Sequence, residues 1–155
     1  MNPALRSDPI FYPDSDGRRM AENTLQAQWI ITLFCNLELL FADRADVFVA
    51  MDNLWYPVEG KPKRRAAPDV YLAFNRPKGH RGSYKQWVEG GVPLTVVFEV
   101  LSPGNRLKEL IRKFRFYERY GVEEYYVIDP DRHTFEAWHR VGDRLQPVKV
   151  DGSIT

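Results

Sequence analysis

The chain has 155 residues, 44% hydrophobic, 14% aromatic and 28% charged, with a net charge of +1, which suits one soluble domain of ordinary core size. No run of about eighteen apolar residues occurs, so a transmembrane helix is not expected, and the lone Cys35 excludes a disulfide framework, a thiolate zinc cluster and an iron–sulfur site. The opening MNPALRSDPI has neither the basic nor the apolar stretch of a secretory signal, which makes the cytoplasm the expected location.

Residues 1–19 are polar and proline-bearing and read as a loosely held lead-in. A helix is expected from about Met20 to Phe41, with Leu25, Trp29, Leu33, Leu37 and Leu40 recurring at threes and fours. Cys35 falls inside it and reads as a small packing residue. From Val47 to Asp52 the period changes to two, which predicts a strand, continued or paired by residues 54–58. Residues 68–74 read as the next strand and 75–93 as loop. Leu94 to Val100 is the most apolar run and the best candidate for a central strand. Ser102-Pro103-Gly104-Asn105 breaks it and can cap a helix over about 106–120, which Gly121 ends. Residues 124–129 form another strand, and 133–140 with 144–150 form a closing hairpin. This order fits a single α/β or α+β domain built on a mixed sheet flanked by helices.

The charge is unevenly spread. Residues 1–60 carry a net −5, residues 61–93 a net +6, and residues 94–155 are neutral. The middle block holds Lys61, Lys63, Arg64, Arg65, Arg81 and Lys85, interleaved with Tyr84 and Trp87. Such a block can contact nucleic-acid phosphates and stack on bases, or it can be a solvated loop.

Common catalytic motifs are missing: there is no G-x-S-x-G elbow, Walker A loop, Rossmann fingerprint or H-E-x-x-H. His80, His133 and His139 share no metal-ligand spacing, and the last two fall on the solvent-facing hairpin. Glu99 stands out, because it lies deep in a strand expected to be buried on both faces. An unpaired buried charge costs several kcal/mol, so Glu99 must be neutral, paired with an arginine, or bound to a cation. Asp69, just after Pro68, is the second such carboxylate, with a strand-start or turn role as its alternative. On adjacent strands the two could converge on a hard divalent cation. In the following helix Leu107, Leu110, Ile111, Phe114 and Tyr117 make the apolar stripe. Lys113 falls at its border, free to reach outward or to bend towards Glu99. Glu22 either favours its helix N-terminus through the dipole or points towards the same site.

Ala67-Pro68-Asp69-Val70, Gly82-Ser83-Tyr84-Lys85-Gln86-Trp87 and Phe98-Glu99-Val100-Leu101-Ser102-Pro103 resemble the Uma-type family of putative restriction endonucleases, within the PD-(D/E)XK nuclease superfamily. The resemblance continues through Lys113 and Tyr117 to Gly121–Pro130 and covers roughly residues 20–145. It implies a restriction-endonuclease-like core and a Mg²⁺- or Mn²⁺-dependent site that hydrolyses DNA. Asp69 and Glu99 match the acidic ligands, joined by the backbone carbonyl of Val100. Leu101 stands where the superfamily pattern has lysine, and Lys113 on the following helix matches the displaced one. Asn105 and Glu109 replace a common Thr and Asp. Glu22 and Tyr117 are candidate supporting residues, and the basic block would hold DNA. A homodimer is expected by analogy, because cutting two strands wants two sites. The alternative is a catalytically silent nuclease-fold protein that binds DNA or serves as an accessory. Relatives often continue beyond the last hairpin, which implies a short member or a truncated chain.

Overall fold

The computed structural model describes residues 9–150; positions 1–8 of the expected lead-in lie outside it. Two helices, α1 (Thr24–Leu40) and α2 (Leu107–Arg119), accompany eight strands: β1 (Val47–Met51), β2 (Trp55–Tyr56), β3 (Val70–Phe74), β4 (Tyr84–Lys85), β5 (Val96–Val100), β6 (Glu124–Asp129), β7 (Thr134–Val141) and β8 (Arg144–Val148). Six of them form one mixed sheet in the order β1-β3-β5-β6-β7-β8. Within this sheet only β5 and β6 pair in parallel; its other neighbours are antiparallel. This is the mixed sheet with flanking helices that the pattern of elements implied.

β5 is interior, and both its faces are covered. Val96, Phe98 and Val100 face α1, packing with Ile30, Leu33, Phe34 and Leu37. Val97 and Glu99 face the other way, into a core of Tyr71, Tyr84, Tyr117 and Tyr125 with Phe114 and Phe116 of α2 against it. A parallel neighbour can be reached only by a crossover, and α2 supplies it. Gly121, at φ 92°, then turns the chain into β6.

Several boundaries and faces differ from expectation. α1 begins at Thr24 rather than Met20, because Asn23 caps it by accepting the Gln26 N–H at 2.8 Å. Its buried stripe is Gln26, Ile30, Leu33, Phe34 and Leu37, so Leu25 and Leu40 (71% exposed) stand outside it, and Cys35 is exposed rather than packed. Residues 54–58 neither extend nor pair with β1. Asp52 adopts φ 47° and turns the chain away, so Trp55 and Tyr56 pair in parallel with β4, inside the segment expected to be loop. Asn105 does not cap α2; its Oδ1 accepts from the Ser102 N–H at 2.6 Å, and Arg106 takes the cap position with no side-chain bond. On α2 the buried face turns towards Lys113 and Tyr117, leaving Leu107 (73% exposed) and Ile111 in solvent.

Part of the lead-in is tied down. Tyr12 packs on Tyr56 and Trp87, with ring centroids 5.3 and 4.9 Å apart, and the Tyr56 hydroxyl donates to the Pro13 carbonyl. Among the described residues, no helix is long and apolar enough to cross a membrane.

Candidate active site

Pairing of β3 with β5 ends at Val70↔Phe98, so the last residues of β5 run past the start of β3. There Asp69, one residue before β3, turns its carboxylate into the gap and accepts the Val100 N–H at 2.7 Å. Strand parity puts Asp69 on the side of Tyr71 and Glu99 on the side of Val97, which is one face of the sheet, towards α2. The two carboxylates are thereby brought together.

Glu99 is 3% exposed, and each of its oxygens has one protein donor. Its Oε2 accepts from Lys113 Nζ at 3.0 Å, and its Oε1 from the Tyr117 hydroxyl at 2.5 Å. Lys113 and Tyr117 are one turn apart on the buried face of α2, so a single helix face delivers a cation and a neutral donor to one carboxylate. Lys113 therefore takes the inward course rather than reaching into water. Among the described residues no arginine pairs with Glu99 or Asp69, which removes the arginine alternative.

The electrostatics are unbalanced. Burial and then the neighbouring Glu99 charge hold the Asp69 carboxyl well above its usual range, with Lys113 and the Val100 N–H working against them. Burial opposes the charge on Lys113, but Glu99 and Asp69 outweigh it and raise its pKa. The Tyr117 phenol is pushed far up by burial and by Glu99, so it acts only as a donor. With both carboxylates ionised, Lys113 neutralises one of two charges.

Above this trio lies a cleft of about 680 Å³. Asp69 and Lys113 line it, together with Gln26, Lys63, Arg65 and Arg112 and the segment Asp16–Glu22 without Gly17. Lys63 and Arg65 thus reach the site, whereas Lys61 and Arg64 are exposed outside the lining. Arg81 does not reach it: its guanidinium pairs with Glu89 at 2.5 Å, donates to the Pro77 and Gly79 carbonyls and lies 3.9 Å over the Phe48 ring. Lys85 stands over Tyr12, Tyr84 is fully buried and Trp87 packs on Tyr12, so the two aromatic rings of the basic block serve the core and the N-terminal segment. Arg18, Arg19 and Arg112 line the cleft without having been singled out. Their signal was three arginines beside the two helices that flank Glu99.

Glu22 precedes the α1 cap and accepts from Ser102 Oγ at 2.8 Å, against Gly104, where any Cβ would collide with its carboxylate. It lines the cleft instead of serving the helix end. The Val100 carbonyl accepts from Gln26 Nε2 at 2.7 Å, leaving one lone pair.

The Uma2 family model, described as "Putative restriction endonuclease", matches residues 17–154. The chain belongs to the Uma2 family. Its fold is similar to that of a putative nuclease belonging to DUF820 from Anabaena variabilis ATCC 29413, with a TM-score of 0.61 and 10% identity, over 81% of this chain and 67% of that one. At that identity the likeness speaks for the fold. No curated protein matches the chain.

The residues present fit a hard divalent cation. Every candidate donor is oxygen, and the Asp69 and Glu99 carboxylates share one sheet face with a single ammonium, which is bonded to Glu99. Among the described residues, no group of three or more His, Cys, Asp or Glu is placed to share a metal. A site of two carboxylates suits Mg²⁺, which keeps several waters and takes substrate phosphate oxygens, better than a metal wanting a full protein cage.

Proposed function

We propose that this Uma2-family chain is a metal-dependent endonuclease that hydrolyses phosphodiester bonds in DNA. The observation that carries the reading is the convergence of Asp69 and Glu99 on one sheet face, under a cleft rimmed by basic side chains, with Lys113 bonded to Glu99. Asp69 and Glu99, with the remaining lone pair of the Val100 carbonyl, would hold one or two Mg²⁺ or Mn²⁺ ions. A bound ion would supply Lewis-acid polarisation of the scissile phosphate and a lowered pKa for the attacking water.

The remaining work falls to the chain itself. Tyr117 fixes the rotamer of Glu99, and the Val100 N–H fixes that of Asp69. Lys113 spends one N–H on Glu99 and has two more to offer a phosphate oxygen as charge develops on it. Arg18, Arg19, Lys63, Arg65 and Arg112 along the cleft would grip the DNA backbone without reading sequence. The chain would act in the cytoplasm as a single nuclease-like domain, and a homodimer would place one site on each strand.

A second reading, a silent nuclease-fold protein that binds DNA or assists another, draws on one observation. Both Glu99 oxygens and the Val100 carbonyl already have protein partners, so the network is satisfied as it stands. Nicking of supercoiled plasmid with Mg²⁺ or Mn²⁺ separates the two. Cutting that Asp69→Ala and Lys113→Ala both abolish supports the nuclease. Salt-sensitive DNA binding with no cutting supports the silent protein.

A further inference from the structure

α1 carries one polar side chain on its buried face. Gln26 sits one turn before Ile30, at a position where an apolar residue would complete the stripe, and it is only 6% exposed. An amide there is costly unless both its atoms are bonded. Both are: Oε1 accepts the Glu22 N–H at 2.8 Å, and Nε2 donates to the Val100 carbonyl at 2.7 Å. The two partners fix which end of the amide points where, since only the NH₂ can donate to the carbonyl.

The location explains the cost. Val100 lies beyond the last β3–β5 pair, so its N–H and its C=O, both on the β3 side, have no strand to bond. Two side chains replace the missing strand. Asp69 takes the N–H, and Gln26, 74 positions away in sequence, takes the C=O. Residue 100 is thus gripped from both directions, next to Glu99 and in direct contact with the Asp69 carboxylate.

We infer that Gln26 is a positioning residue that sets the distance between Asp69 and Glu99 by anchoring the Val100 backbone beyond the end of the β3 ladder. The inference rests on the metal-dependent reading of the site. Without the amide, Val100 keeps only the Asp69 bond and can follow that carboxylate, so the two acids no longer present a fixed pair of oxygens to a cation.

The test is Mn²⁺ binding to the full chain by isothermal titration, with thermal unfolding measured in parallel, for wild type, Gln26→Met and Gln26→Asn. Met keeps the volume and loses both bonds; Asn keeps the polarity but is a methylene too short to span them. Both variants are expected to bind Mn²⁺ about 10–100-fold more weakly, the usual effect of removing a partner that orients a ligand. If either folded variant binds Mn²⁺ within about twofold of wild type while melting earlier, Gln26 only stabilises the fold and the inference falls alone. Wild type that takes up no Mn²⁺ sinks the metal reading, and the inference goes with it.

Discussion

Lys113 can be removed without removing its bulk. Lys113→Met keeps an unbranched aliphatic stem but leaves the Glu99 carboxylate, 3% exposed, with Tyr117 as its only donor and Asp69 beside it. Breaking one side of a buried pair costs about 3–5 kcal/mol, because the other charge stays behind in a poor dielectric. The Lys113 side chain retains 18% exposure, so water screens part of the interaction and the low end, roughly 3 kcal/mol, applies. For a chain of this length that is a fall in Tm of about 6–12 °C, at roughly 2–4 °C per kcal/mol. The assay is thermal unfolding by circular dichroism at pH 7, on wild type, Lys113→Met, Glu99→Gln and the double variant. Glu99→Gln removes the stranded charge and still accepts from Tyr117, so the double variant should regain most of the lost stability. The raised pKa of Lys113 means that its contribution is complete below the ordinary lysine pKa and fades only as pH rises through the folded value. A single variant that melts within about 1 °C of wild type would refute the reasoning. So would a double variant that melts as early as the single one, since Lys113 would then act through packing and not charge.

Asp69→Asn should stabilise the chain at neutral pH while abolishing any metal-dependent cutting. The folded state raises the Asp69 pKa, so ionising it costs stability from the ordinary carboxylate range upward, and the cost is complete only above the folded value. The advantage of the Asn variant should therefore be nil in strong acid and grow with pH, as melting curves at several pH values would record. Arg65→Ala should leave the melting temperature unchanged and reduce the salt dependence of DNA binding by about one unit of slope, because Arg65 lines the cleft. Arg81→Ala should do the reverse: it removes the closest partner of buried Glu89 and a guanidinium stacked on Phe48, at about 1–3 kcal/mol, with no change in the salt slope.

The sequence made the secondary structure legible wherever the pattern was strong. Alternation in residues 47–51 and the apolar run around Val97 named β1 and β5, and the acid embedded in that run pointed to the candidate site. Faces were harder to read than elements. On both helices the stripe drawn from large apolar residues was rotated from the real one, because α1 has a single charged residue and offers no polar face to orient it. On α2 the buried face contains Lys113, which any hydrophobicity count assigns to the border. Gln26 was invisible for the same reason: a buried amide looks like a surface residue until its partner, 74 positions on, is in place. The basic block was legible as charge but not as geometry. Lys63 and Arg65 face the cleft, whereas Arg81 is spent within its own loop. Local composition cannot separate these outcomes, since what divides them is a carboxylate at position 89.

β5 is the seam at which the sheet changes from antiparallel to parallel pairing, and this has a consequence for how the protein is made. Asp69 and Glu99 reach their strands through antiparallel neighbours that lie earlier in the chain. The ammonium that completes the centre rides on the crossover, which settles only when β6 docks beside β5. During synthesis from the N-terminus, the residues up to Asp129 must therefore emerge before Lys113 is held over Glu99. Until then Glu99 lacks the ammonium that is bonded to it in the folded chain. The order of assembly therefore leaves the candidate centre unfinished until the fold around it is in place.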